Sequence, residues 1–265
     1  MVKMPENMLS SVLIALLLGL TVSIILLPVA LPLAVSFSSS YTIAFPPQGF
    51  TLRWFTNIFY SESLINGFKF SLVLGISASL IAMIISLPAT YIFYRYNFKS
   101  KSYLENLMLS PSLVPEIVLS FTLLVYFNAL KISYSSWLLL GHILILIPYA
   151  TRYTYASLVN LDTSIEDAAI SLGANRLRAF LDVIVPNIAK GLAASFLLSF
   201  IISFNAFSIS LFLSYGETLP LPIAMWNYLQ VRYDPTVAAM STILVIFTLT
   251  LSIIVRRIVE LKGVK

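Results

Sequence analysis

Apolar residues in this chain gather in long runs nearly free of charge, instead of the short patterned stretches of a soluble fold. Spanning about 30 Å of hydrocarbon takes about 20 mostly apolar residues in a helix. Six runs meet that length: residues 9–35, 70–93, 107–130, 137–155, 188–213 and 237–255. Arg152 and Lys190 fall at the inner ends of their runs, where long basic side chains reach out of the hydrocarbon. Only Glu116 lies well inside one. The first run follows Lys3 but is about twice as long as a signal h-region and lacks a clear A-x-A site, so it is read as a permanent span.

Composition sharpens the picture. Of 265 residues, 59% are hydrophobic and 10% charged, against roughly 45–50% and 25% in soluble domains. One core cannot bury that excess, so the fold class is an all-α membrane protein. With no cysteine and one histidine, thiol nucleophiles, disulfide scaffolds, structural zinc sites and histidine-ligated iron are removed. The net charge of +5 would point to nucleic acid in a soluble protein, but its distribution fits membrane topology instead. Placing the N-terminus in the cytoplasm puts twelve basic residues inside: Lys3, Arg95, Lys99, Lys101, Arg152, Arg176, Arg178, Lys190, Arg256, Arg257, Lys262 and Lys265. Arg53, Lys69, Lys131 and Arg232 stay outside. This is the positive-inside bias, and it places both termini in the cytoplasm.

Residues 1–265 read as one transmembrane domain with two substantial loops. The outer loop, 36–69, is Ser-rich, carries Pro46-Pro47, and turns amphipathic around Phe50, Leu52, Trp54, Phe55, Ile58 and Phe59. Its aromatics are expected at the outer membrane surface. The inner loop, 160–186, holds much of the cytoplasmic charge. There Thr163-Ser164-Ile165-Glu166 fits a capping box and predicts a helix start. Ile165, Ala168, Ala169 and Leu172 form one apolar face, Glu166, Asp167 and Ser171 point elsewhere, and Gly173 is a stop. A second short helix from Asn175 aligns Leu177, Leu181 and Ile184, and Pro186 starts or breaks the next span. Periodicity alone is equally met by an amphipathic helix lying on the bilayer and by a surface whose small Ala168-Ala169 admits another protein.

Asp167-Ala168-Ala169, Gly173, then Val183, Val185 and Pro186 resemble the E-A-A-x-x-x-G-x9-I-x-L-P motif of binding-protein-dependent ABC transporter permeases, with Asp for Glu and Val for Ile and Leu. The resemblance runs from about Phe50 to Glu260 and is nearest the spermidine/putrescine-type C-subunit permeases. It is carried also by Thr51-Leu52-Arg53-Trp54-Phe55, Val114-Pro115-Glu116-Ile117-Val118, Gly141-His142, Leu172-Gly173-Ala174 and Leu219-Pro220. It implies a type I importer permease of six transmembrane helices, whose coupling helix docks on a cytoplasmic ABC ATPase dimer through Glu166, Asp167, Ala168, Ala169, Gly173 and Pro186. It further implies an extracytoplasmic solute-binding protein and a second permease subunit, more readily a heterodimer than a homodimer. ATP and Mg belong to the ATPase; no cofactor is expected on this chain, and no nucleic acid.

The substrate-path candidates are Glu116, Ser203, Asn205 and Ser208. An acidic residue costs about 3 kcal/mol at the bilayer centre, so Glu116 must face protein or water. It either lines a path suited to a cation or is a protonated or Arg-paired structural group. Pro111 and Pro115 can break its helix only beside a cavity or a protein partner. Asn205-Ala206 stands where polyamine permeases often have Asp-Asp, a departure that bears on the substrate. The serines and Asn205 can bond a solute or a neighbouring helix, and His142 is expected to make an interhelical hydrogen bond. Tyr91, Tyr94, Tyr96, Tyr149, Tyr153 and Tyr155 read as an aromatic belt.

A proton- or ion-coupled secondary transporter would show more buried ionisable groups and an internal repeat. An intramembrane enzyme would need a nucleophile with its base, or a metal cluster. Permeases for ferric iron, phosphonate, opine, sulfate or thiamine are the alternatives within the family. The chain has no phosphate-binding G-x-x-x-x-G-K-[ST] loop, so energy is expected from a partner.

Overall fold

The computed structural model describes residues 8–216 and 219–260, with side chains outside 8–10, 134–135 and 259–260. Lys3, Lys262 and Lys265, counted inside by the charge argument, lie outside the described residues. All regular structure among the described residues is helical. In order, the helices are α1 (Met8–Val35), α2 (Arg53–Tyr60), α3 (Glu62–Arg95), α4 (Lys101–Leu109), α5 (Glu116–Ala129), α6 (Tyr134–Val159) and α7 (Ser164–Ser171). They continue with α8 (Arg176–Ala179), α9 (Val185–Asn187), α10 (Ala189–Phe204), α11 (Phe207–Leu213), α12 (Leu221–Val231) and α13 (Thr236–Glu260). A 3-10 turn, Ser110–Leu113, follows α4, and a π-helical turn, Phe180–Ile184, joins α8 to α9.

By length and composition, α1, α3 and α13 can each cross a membrane, and counting two sharply bent helix pairs as single spans raises the number to five. The remaining expected span lies on α6, a 26-residue helix. Its Leu138, Ile143, Leu146 and Ala150 are buried in protein.

The described residues divide into two compact units: 8–62 with 228–246, and 63–227 with 247–260. In the first, α1 exposes apolar side chains all round, as a helix meeting lipid does. The outer loop corrects the expectation that all its aromatics lie at the surface. Phe50 and Phe59 are exposed, but Trp54 is only 2% exposed and donates its indole N–H to the Ser38 carbonyl at 2.6 Å. The Arg53 guanidinium lies 4.0 Å from the Tyr41 ring centroid and 4.3 Å from that of Trp54.

In the second unit, α3 buries a stripe of small residues: Gly67, Ser71, Gly75, Ala78, Ser79, Ala82, Ser86 and Thr90. Spaced three or four apart, they share one face and let neighbouring backbones approach closely. Ser86 reaches the Ile147 carbonyl of α6 at 3.4 Å, and Ser71 accepts the Leu221 N–H at 2.8 Å. Leu74, Ala78 and Ala82 of α3 then join Leu123, Phe127, Trp137, Leu146, Ile209 and Leu213 in one apolar core.

Two of the expected runs are not single helices. Residues 107–130 contain the end of α4, the 3-10 turn and α5, with the two arms bent by 103°. Pro111 sits in the 3-10 turn and Pro115 immediately before α5; neither has an N–H to continue the α-helical ladder. The run 188–213 divides at Asn205-Ala206, where Ala206 leaves helical geometry (φ −71°, ψ 91°) and α11 begins anew.

The packing of α3 leads to a measurable contrast. A Cβ on Gly67 would stand 2.9 Å from the Ala224 Cβ and 3.2 Å from the Leu219 carbonyl oxygen, whereas one on Gly19 would meet nothing within 4 Å. Gly67→Leu is expected to destabilise by about 1–3 kcal/mol through overpacking, lowering the thermal midpoint of the detergent-solubilised protein. Gly19→Leu leaves that midpoint unchanged. Equal midpoints would contradict the close approach at Gly67.

Candidate functional site

The inner loop folds as the expected pair of short helices, but its polar groups act differently from the sequence pattern. No Thr163 side chain caps α7; the Asp162 carboxylate does, accepting the Ser164 N–H at 2.9 Å. Glu166 does not reach back to the helix start. It turns inward, 1% exposed, where Oε1 accepts the Tyr91 hydroxyl at 2.5 Å and Oε2 pairs with Arg95 Nε at 3.2 Å. Arg95 also pairs through a second nitrogen with the half-exposed Asp167 carboxylate. One guanidinium thus grips two successive carboxylates from the end of α3. Removing one partner of a buried pair strands the other and costs about 3–5 kcal/mol; with Arg95 partly exposed, its loss belongs at the lower end.

The residues of the apolar face on α7 differ in exposure. Ile165 and Ala169 are half-buried, but Ala168 is exposed and Leu172 is 90% exposed. Gly173 ends the helix in left-handed geometry (φ +96°) with open space around it, which favours glycine there. Asn175 caps α8 by accepting the Arg178 N–H at 2.8 Å, as the sequence predicts. Along the second helix Ile184 is buried while Leu177 and Leu181 face outward, so the three do not share an environment. Pro186 is exposed in the first turn of α9.

The substrate-path candidates meet where the two broken runs come together. Glu116 opens α5 and is exposed, and its Oε1 accepts the Ile209 N–H of α11 at 3.3 Å. Ala206, at the N-cap of α11, has no side chain able to cap it; Glu116 serves that purpose from another helix. Its partner among the described residues is therefore backbone, not the arginine of the structural alternative. Two helix N-termini, each with partial positive charge, share this carboxylate. His142 braces the same break from α6: Nδ1 lies 2.8 Å from Ser203 Oγ and Nε2 3.3 Å from Ser210 Oγ. Ser203 is thereby buried in an interhelical bond. Asn205 is exposed, its amide N–H bonded to the Ile201 carbonyl at 2.8 Å, and Ser208 is half-buried in the first turn of α11.

The model for the family described as binding-protein-dependent transport system inner membrane component matches residues 82–262, which hold both the inner loop and the paired breaks. The chain belongs to this family. It is 29% identical over 207 residues to the spermidine/putrescine transport system permease protein PotC of Escherichia coli K12, covering 78% of each chain. It is 24% identical over 205 residues to the putrescine transport system permease protein PotI of the same strain, covering 74% of this chain and 73% of that one. A chain in the crystal structure of a bacterial ABC transporter involved in the import of the acidic polysaccharide alginate superposes over the full length of both, with a TM-score of 0.68 at 15% identity. This is a permease subunit of an ABC importer, a multi-pass membrane component and not an enzyme, working with ATPase and binding-protein partners.

Sequence reasoning passed over the groups that hold the permease's inner loop. Read as an interfacial belt, Tyr91 instead binds Glu166, Tyr94 donates to the Leu161 carbonyl at 3.2 Å, and Tyr96 bonds Arg176. The signal available was Tyr91 and Arg95 four apart on one helix face, with the acidic pair Glu166-Asp167 far along the chain.

The cap at Asp162 carries a pH dependence. The Ser164 N–H holds this carboxyl below the usual carboxylate range. Such a group contributes stability above its unfolded value of about 4 and loses it as pH falls through the lower folded value. The first turn of α7 is expected to fray below about pH 4, seen as faster Ser164 amide exchange after correction for intrinsic rate. Asp162→Asn should abolish that dependence; an unchanged profile would remove Asp162 from the cap.

Proposed function

We propose that this permease subunit imports a small organic cation, with polyamines the first class to test. The observation that carries the reading is the exposed Glu116 carboxylate at a helix break inside the membrane region, in a chain 29% identical to a spermidine/putrescine permease. An exposed carboxylate inside a transmembrane region is a group an amine can pair with. Asn205 and Ser208 flank the start of α11, whose Ile209 N–H Glu116 accepts, and Ser203 is bonded to His142 behind the break. Asn205, where related permeases often carry Asp, weakens the attraction for a second amine and favours a solute with less charge at that end.

In this reading six spans carry the chain across the plasma membrane with both termini in the cytoplasm. The loop from Asp167 to Pro186 docks on a cytoplasmic ABC ATPase dimer, which holds ATP and Mg; this chain binds no cofactor. Exposed Leu172 and Leu177 beside Ala168 are the apolar surface such a partner would cover. A second, different permease subunit completes the path, and an extracytoplasmic binding protein delivers the solute.

The test is ATP-driven uptake of labelled spermidine by vesicles holding the complete transporter, with putrescine, ferric iron, phosphonate and thiamine as competitors. Glu116→Gln is expected to lower spermidine uptake about tenfold, the size of one lost charge-assisted contact. Gly173→Val should uncouple ATP hydrolysis from uptake while the chain stays in the membrane, since a β-branched residue at φ +96° distorts the docking turn. Uptake of a competitor in place of spermidine moves the substrate to a sister class.

A further inference from the structure

The inner end of α3 is held by both halves of the inner loop. Tyr91 and Arg95 take Glu166 and Asp167 of α7. The Tyr91 ring packs on Phe180 of the π-helical turn with centroids 4.6 Å apart, and Tyr96 bonds Arg176 of α8, whose guanidinium also lies 5.2 Å from the tyrosine ring centroid. Tyr91 then joins Ile184, Ile188 and Leu192 in a second apolar cluster. A π-helical turn at this point is a deformable element of the kind found at moving sites.

Further along, the same helix reaches the broken fifth run. Gly75 is packed so closely that a Cβ there would lie 3.0 Å from the Phe200 ring of α10. Phe68 stands edge-on to Phe204 with centroids 5.7 Å apart, and Phe204 immediately precedes Asn205. As a 34-residue helix, α3 is about 50 Å long. Among the described residues, α3 holds the inner loop by ion pairs at one end and packs along its length against Phe200 and Phe204, next to the Asn205-Ala206 break.

We propose that Arg95, seconded by Tyr91, latches the coupling loop to α3, and that α3 is the lever carrying the ATPase stroke to the break at Asn205-Ala206. Arg95 is a positioning residue: it touches neither solute nor nucleotide, and it fixes α7 to α3 so that the two move as one body. Glu166 belongs to this latch and not to the docking surface, where the exposed Ala168, Leu172 and Gly173 stand. The proposal rests on the permease reading above.

The chain has no cysteine, so on this subunit spin labels attach only at introduced pairs, in a complete transporter whose other subunits are made cysteine-free. Ser164→Cys on α7 is paired with Ile84→Cys on α3, and separately with Val125→Cys on α5; all three positions are exposed. On adding Mg and a non-hydrolysable ATP analogue, the 164–84 distance is expected to stay fixed while the 164–125 distance shifts. In Arg95→Ala the 164–84 distance shifts or broadens as well. Spermidine imported per ATP hydrolysed then falls about tenfold, within the range of a typical coupling free energy, while the ATPase subunits still copurify. Arg95→Lys, which keeps the charge, recovers part of that ratio. Tyr91→Phe, which removes one hydroxyl and keeps the ring, should loosen the pair in the same direction if Arg95→Ala does not fold. A 164–84 distance that changes with nucleotide in the unmodified latch, or an Arg95→Ala transporter with unchanged distances and ratio, overturns the lever. Loss of the ATPase subunits from Arg95→Ala also overturns it, by placing Arg95 in the docking surface. A 164–125 distance that ignores nucleotide overturns instead the importer reading beneath it.

Discussion

Hydrocarbon offers a free backbone N–H or carbonyl no partner, so a helix can break inside a membrane only where another helix completes its hydrogen bonds. The centre of this permease is arranged around that constraint. Pro111 and Pro115 break one run and Asn205-Ala206 another, and the second break is met by side chains from other helices. Glu116, the first residue of α5, bonds the Ile209 N–H of α11, while His142 of α6 reaches serines on both sides of the Asn205-Ala206 break. The carboxylate that hydropathy alone treats as a cost of about 3 kcal/mol therefore has structural work as a cap as well as its exposed position.

At the inner end of the same unit the polar problem is solved by ionic pairing. Glu166 is almost fully buried and keeps its charge partnered because Arg95 and Tyr91 approach from α3. A buried pair of this kind adds little net stability over apolar packing, but losing one partner is costly. It therefore fixes which helix the inner loop accompanies more than it holds the chain folded. The small-residue stripe along α3 has the same consequence by packing: a helix able to lie close to α6 and α10 shifts little without moving them.

The similarity to a distant importer subunit, TM-score 0.68 at 15% identity, follows from how loosely most of these positions are specified. A lipid-facing site asks only for an apolar side chain, and the buried face of α3 asks only for a small one. Strict demands fall on few places, among them the glycine at Gly173 with its positive φ.

That the chain is helical, crosses a membrane and carries a two-helix inner loop whose first helix stops at Gly173 was determined by the sequence itself, because run length, composition and a glycine at a helix stop are local properties. So was the weakness of the run around Pro111 and Pro115, since proline lacks its N–H wherever it stands. The partners that make these features usable were decided only by tertiary structure. The inward turn of Glu166 depends on Tyr91, 75 positions away, and the cap on α11 depends on Glu116, 93 positions away. The Asn205-Ala206 break carries no proline to announce it, and Leu172, placed by periodicity on one face with Ile165 and Ala169, stands in the open while they are half-buried. Periodicity says which residues share a face, but burial depends on what packs against that face, and in one chain without its partners that is set by which distant helices meet.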